Sequence, residues 1–134
     1  GYAASRSVRA QMRFVVRDRV IMRRRANFMR LASHLKGLLL CPFTELPPGV
    51  CPLFLPVMVS DKVRFQRDLA ALGVGSVNLW DASHPSCPSQ CAAEVAQWRH
   101  HCLELPIHQE LSDDTIDRVA AAVLTVLERQ RPAA

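Results

Sequence analysis

From Ser5 to Leu35 the chain contains neither proline nor glycine, and helix-forming residues dominate. This unbroken run constrains the fold more than any other feature. Met12, Val15, Val16, Val20, Met22, Phe28, Leu31 and Leu35 recur at roughly helical spacing, on a broad and imperfect stripe. Gly37 then supplies a C-cap. The pattern predicts one long helix, with room for a kink. A helix of this length does not bury its whole surface against the rest of a 134-residue chain, so part of it is expected to meet another surface.

The same stretch carries an uneven charge. Residues 1–36 hold ten Lys or Arg against one acid, Asp18, which is +9. The remainder is −4, so the overall +5 describes neither part. A basic helix attracts nucleic acid or acidic surfaces, and Arg9, Arg13 and Arg17 align at i, i+4. No binding motif accompanies them, however, and basic charge alone gives only non-specific attraction. An amphipathic helix whose arginines are solvated, or paired with a partner's acids, explains the pattern as well.

The rest of the chain alternates. "CPFTELPPGVCP" has four prolines and a glycine in twelve residues and reads as a loop. "LFLPVMV" (Leu53 to Val59) is a short apolar strand, with Pro56 marking an edge or a bulge. In "SDKVRFQRDLAALGVG", Ser60 or Asp61 caps a helix, Phe65, Leu69 and Leu72 face inward, and Gly73 ends it. "SVNLW" (Ser76 to Trp80) is a second strand, "DASHPSCPSQ" a loop, and "CAAEVAQWRHH" a short helix with Val95 and Trp98 on one side. "CLELPI" is the third strand. The closing helix begins at the N-cap Ser112, with Asp113 and Asp114 in its first turn and Ile116, Val119, Val123 and Leu127 facing inward. The expected fold is therefore α/β: a small three-stranded sheet covered by helices, preceded by a long N-terminal basic helix.

Composition narrows the class further. A 49% hydrophobic and 22% charged chain fits a globular protein with one core. No apolar run approaches the roughly 18 residues that span a membrane. The opening "GYAASRSVRA" lacks an initiator methionine and the pattern of a signal peptide, and a start on glycine suggests a processed chain or a fragment. An odd count of five cysteines argues against a disulfide framework and for reduced thiols in a cytoplasmic protein.

Candidate chemistry is sparse. His84, Cys87, Cys91, His100, His101 and Cys102 form the sharpest cluster, but zinc needs four converging ligands and the C-x3-C spacing is not the common knuckle. The alternative is that Cys102 faces the core and the loop cysteines are incidental. No motif singles out a cysteine to pair with His84 or His108 as a nucleophile, and no glycine-rich phosphate loop or nucleophile elbow is present. His108 stands in a corner between strand and helix, where it is expected to fix the turn or lie near a domain interface.

Taken in order, "RRRANFMRLASHL" (Arg23 to Leu35), "CPLFLPVMVSDKVRFQRDLAALGV", "SVNLWDASHP" and "CLELPIHQELSDDTIDRVAAAVLTVL" resemble the C-terminal small domain of the sugar aminotransferases of the DegT/DnrJ/StrS type. These are pyridoxal-phosphate enzymes of the aspartate-aminotransferase fold. The resemblance covers about Arg23 to Gln130 and is poor before Met22. It implies a linking helix over 1–37 and the small domain over 38–134. It also implies that the lysine forming the Schiff base, the aspartate at the pyridine nitrogen and the phosphate-binding loop would all lie upstream of residue 1. Lys36 and Lys62 are the only lysines, and neither stands in the family's serine-histidine-lysine setting. No cofactor and no catalytic residue is therefore expected in this chain itself, although pyridoxal phosphate is implied for the full-length family.

The resemblance further implies a domain that covers an active-site mouth, with the loop after the second strand turned toward a sugar substrate. Asn78, Trp80 and His84 are the substrate-binding candidates, with Trp80 as a packed strand end the competing reading. The expected partner is a large domain or a second copy, met through the N-terminal helix. A non-catalytic interaction or dimerisation module using that helix is the alternative.

Overall fold

The computed structural model describes residues 5–8, 10, 17–39, 41–43, 45–78, 86 and 93–130. Helix α1 spans Arg17–Leu35, and residues 6–8 and 10 are helical as well. Met12, Val15 and Val16 lie outside the described residues. Strand β1 is Phe54–Met58, helix α2 Lys62–Ala71, helix α3 Ala93–His101, strand β2 Cys102–Pro106 and helix α4 Asp113–Gln130.

The sheet is smaller than expected. β1 and β2 pair antiparallel, with Pro56 opposite Glu104 and Leu55 opposite Leu105. Of the strand predicted at 76–80, the described residues contribute one bridge, in which Val77 and Glu104 exchange both backbone hydrogen bonds at 3.0 and 3.1 Å. The expected three strands are thus corrected, among the described residues, to two strands and a bridge. Gly75 and Asn78 stand on either side of the Val77 position, and both are poor strand formers. Because Glu104 turns its N–H and C=O toward Val77, its pairing with Pro56 is of the non-hydrogen-bonded kind. Pro56 therefore sacrifices no ladder bond and faces the free edge, as the proline predicted.

Side-chain alternation then divides the strands. Leu55, Val57, Leu103 and Leu105 are fully buried in one core with Phe28, Leu31 and Leu35 of α1, Phe65 and Leu69 of α2, and Ile116, Val119, Ala120, Val123 and Val126 of α4. The intervening residues, Phe54, Pro56, Cys102 and Glu104, look the other way and meet α3. One expected inward residue is displaced: Leu72 becomes the C-cap of α2 and is 37% exposed. Leu127 is half-buried and packs against the core, beside the fully buried Val126.

The helix ends follow their predicted signals. The Asp61 side chain accepts from the Arg64 N–H at 2.9 Å, and the Ser112 hydroxyl accepts from the Thr115 N–H at 3.2 Å. Gly73, at φ +78°, ends α2 in a left-handed turn. There its N–H donates to Ala70 and the Val74 N–H to Leu69, both at 3.0 Å, which is the paired bonding of a Schellman cap. No described helix is long and apolar enough to cross a membrane.

Candidate functional site

The corner at residues 107–111 is organised by α1. Asn27 is buried, and its amide nitrogen donates to the His108 carbonyl at 2.8 Å and, at longer range, to the carbonyls of Ile107 and Leu111. Arg23 adds two bonds to the Leu111 carbonyl at 3.2 and 2.7 Å and an ion pair with Asp113 at 2.8 Å. Arg24 donates to Gln109 at 2.7 Å. These donors satisfy carbonyls that leave β2 before α4 begins. His108 itself is exposed. Its ring nitrogen accepts weakly from the Glu110 N–H at 3.4 Å, and its own carbonyl accepts from the Leu111 N–H. The histidine closes the turn, as one of its two expected roles required.

Several arginines of the basic run bond inside the chain. Arg25 gathers the carbonyls of Leu46, Pro47 and Val50 at 2.8–2.9 Å and so pins the proline-rich loop to α1. Arg30 forks onto Asp117 at 2.7 and 2.6 Å, and His34 approaches the same carboxylate at 3.0 Å. Arg30 foremost, with His34 adding to it, holds the Asp117 pKa down from 3.8 to about 2. The sequence left these arginines as solvated or paired with a foreign partner. Arg23, Arg24, Arg25 and Arg30 instead pair within the chain, because the helix lies across the loop and α4 that supply the acceptors.

Of the substrate-binding candidates, Asn78 sits half-buried beside the Val77 bridge, and its side-chain oxygen is buried without a hydrogen-bond partner. Trp80 and His84 lie outside the described residues, as do Cys87 and Cys91 of the suggested zinc cluster. Among the described residues no group of His, Cys, Asp or Glu is placed to hold a metal ion. His101 instead caps the end of β1, its Nδ1 lying 2.9 Å from the Val59 carbonyl. Cys102 is a half-buried free thiol on the α3 side of the sheet, not in the core, and burial pushes its pKa up.

Two residues that the sequence did not single out are the most unusual in the fold. Glu104 is 6% exposed, and its Oε2 has no hydrogen-bond partner. Burial raises its pKa, with Lys62 opposing. Lys62 is also buried and donates its ammonium to the Arg99 carbonyl. The signal for Glu104 was present in "LEL": strict alternation puts a carboxylate on the opposite face of the sheet from two core leucines. Beneath α3, Glu104 borders a cavity of about 380 Å³ that Phe43, Phe54, Val95 and Trp98 also line.

No family model and no curated protein sequence matches the chain. Its fold does match known structures. S. venezuelae DesV, in complex with a ketimine intermediate, superimposes with a TM-score of 0.79 at 21% identity over 90% of this chain and 35% of its own. A DegT DnrJ EryC1 StrS aminotransferase from Brucella abortus gives 0.71 at 18% identity, over 86% and 33%. The sugar aminotransferase CalS13 from Micromonospora echinospora gives 0.67 at 18%, over 81% and 31%. The chain spans about a third of the length of these structures.

The residues present do not fit pyridoxal phosphate, the cofactor that the resemblance implies. Lys36 is exposed just beyond α1, and Lys62 is committed to a backbone carbonyl at the start of α2. Neither fits an amine held free to condense with an aldehyde. By its fold, this chain matches a part of the sugar aminotransferases of the DegT/DnrJ/EryC1/StrS kind, about one third of their length.

Proposed function

We propose that the chain is the C-terminal small domain of a pyridoxal-phosphate-dependent nucleotide-sugar aminotransferase-like protein. It covers the mouth of an active site whose chemistry is supplied by a large domain, and it does not transaminate by itself. The observation that carries this reading is the coverage: most of this chain superimposes, on only about a third of each relative. The helix over 1–37 acts as the link to the large domain or to a second copy, and 38–134 as the covering domain. Asn78, Trp80 and His84 face the sugar.

The coding region upstream of Gly1 tests this. The expected result is an open frame carrying a large domain with a lysine in a serine-histidine-lysine setting. A stop codon directly upstream would overturn it. Spectroscopy supplies a second check: mixing the chain alone with pyridoxal phosphate is expected to give no stoichiometric lysine adduct. An adduct discharged by an amine substrate would refute the division of labour.

A second reading is favoured by one feature of α1. Met22 is 71% and Met29 50% exposed, among arginines that bind inward. Such apolar surface suits a non-catalytic dimerisation or interaction module. Sedimentation at several salt concentrations separates the readings, because a monomer indifferent to salt and to acidic ligands counts against the module.

A further inference from the structure

The cavity beneath α3 has a composition that the aminotransferase-like reading does not use. Its walls are largely apolar: Phe43 and Trp98 stack with centroids 6.0 Å apart at 25°, and Phe54, Pro56 and Val95 join them, with Arg99, Cys102 and Glu104 the polar or ionisable members. Its volume of about 380 Å³ falls in the range of small-molecule sites. Among the described residues one carboxylate, that of Glu104, borders it.

That carboxylate is more than nine-tenths buried, yet Oε2 accepts no hydrogen bond. Buried carboxylates are normally paired, because an unpaired one loses its hydration without replacement. Neither neighbouring cationic residue donates a hydrogen bond to that oxygen. Lys62 directs its ammonium to the Arg99 carbonyl, and Arg99 lines the same cavity without bonding that oxygen. An open acceptor bordering an aromatic cavity is complementary to a donor that carries positive charge at one end and an apolar body at the other. Aromatic faces add to this preference, since their quadrupole attracts cations.

We propose that the cavity formed by α3, Phe43 and the outer face of β1–β2 binds a small primary amine with an apolar, ring-sized body, its ammonium donating to Glu104. The ring lies among Phe43, Phe54 and Trp98. Lys62 and Arg99 keep the local field from being strongly negative, so charge alone does not suffice and the apolar body is required.

Calorimetric titration of the full chain with 2-phenylethylamine, and separately with the neutral isostere 2-phenylethanol, tests the proposal. The amine is expected to bind saturably with one site, at least about tenfold tighter than the alcohol, the scale of a charged hydrogen bond to a buried group. Glu104→Gln is expected to abolish that tenfold difference while leaving the alcohol's weak binding unchanged. Val95→Trp, on a side chain that lines the cavity yet is partly exposed, fills the space without touching the core, and binding of both compounds should disappear. Equal affinity for amine and alcohol, no saturable amine binding, an amine preference that survives Glu104→Gln, or binding of either compound that survives Val95→Trp would overturn the proposal. Circular dichroism of each variant establishes that a loss is not unfolding. If Glu104→Gln fails to fold, Val95→Trp and the amine–alcohol difference decide alone.

Discussion

The two faces of the β1–β2 ladder are built from alternate residues of the same ten positions, yet they end in opposite states. On one, Leu55, Val57, Leu103 and Leu105 are sealed by α1, α2 and α4, and every core side chain has apolar neighbours. On the other, a buried glutamate lies under a single short helix whose Trp98 is 41% exposed, beside a Phe43 that is 56% exposed. The contrast teaches where the chain is self-sufficient. Three helices with strong apolar stripes close the first face. α3 has no such stripe, and among the described residues the second face keeps a cavity and a buried carboxylate oxygen without a hydrogen bond.

The largest expected effect breaks the sealed face. Leu105→Ala should cost about 2–5 kcal/mol, because the fully buried side chain leaves a cavity that its packed surroundings cannot fill. The matching truncation on the open side, Val95→Ala, should stay within about 0.5 kcal/mol. Urea midpoints of the two variants, taken at a constant m-value, check this, and equal losses would erase the distinction between the faces.

Polar groups sharpen it at a smaller scale. Asn27 answers three carbonyls, so Asn27→Ala should cost about 1–3 kcal/mol by leaving buried acceptors unpaired. Glu104→Gln removes a buried charge whose Oε2 accepts no hydrogen bond, and it should leave stability at neutral pH unchanged or increased. A loss on Glu104→Gln comparable to that of Asn27→Ala would show that the glutamate is an integral part of the fold.

The smallest effects are in pH dependence, and the two carboxylates act with opposite sign. Asp117 has a folded pKa of about 2, below its ordinary 3.8. Its contribution is therefore complete above about pH 4 and is lost as pH falls toward 2. Glu104 has a folded pKa raised above its ordinary 4.5 by burial, with Lys62 opposing. The folded state then holds the proton more tightly, and stability declines as pH rises from 4.5 through the raised value. Thermal midpoints between pH 2 and 7 should show Asp117→Asn flattening the acid limb and Glu104→Gln removing the decline. Asp117 is a surface partner, so its effect is modest and weakens with salt.

Much of the fold was legible in local signals. Asp61, Ser112 and Gly73 mark helix ends because capping is decided within a few residues of chain. Pro56 announced an edge, and the stripe Ile116, Val119, Val123 announced the inner face of α4. The strand expected at 76–80 contributes only a bridge among the described residues, where Gly75 and Asn78 flank Val77. Of the candidate site, Asn78 alone lies where it can be judged. The cysteine and histidine pattern around residues 84–102 suggested a metal cluster, yet His101 and Cys102 have other tasks.

The sequence by itself determined the order of elements, the caps, the alternation of β2 and the family signature, because each depends on spacing along the chain. Tertiary structure decided where the arginines of α1 go, since the carbonyls of residues 46–50 and 108–111 become acceptors only after α1 crosses both segments. It likewise decided that the buried Asn27 amide nitrogen meets carbonyl acceptors, whereas its Oδ1, like the Oε2 of buried Glu104, meets no donor. The cost of a buried polar atom depends on what stands within about 3 Å of it, and that distance is fixed only when elements far apart in sequence pack together.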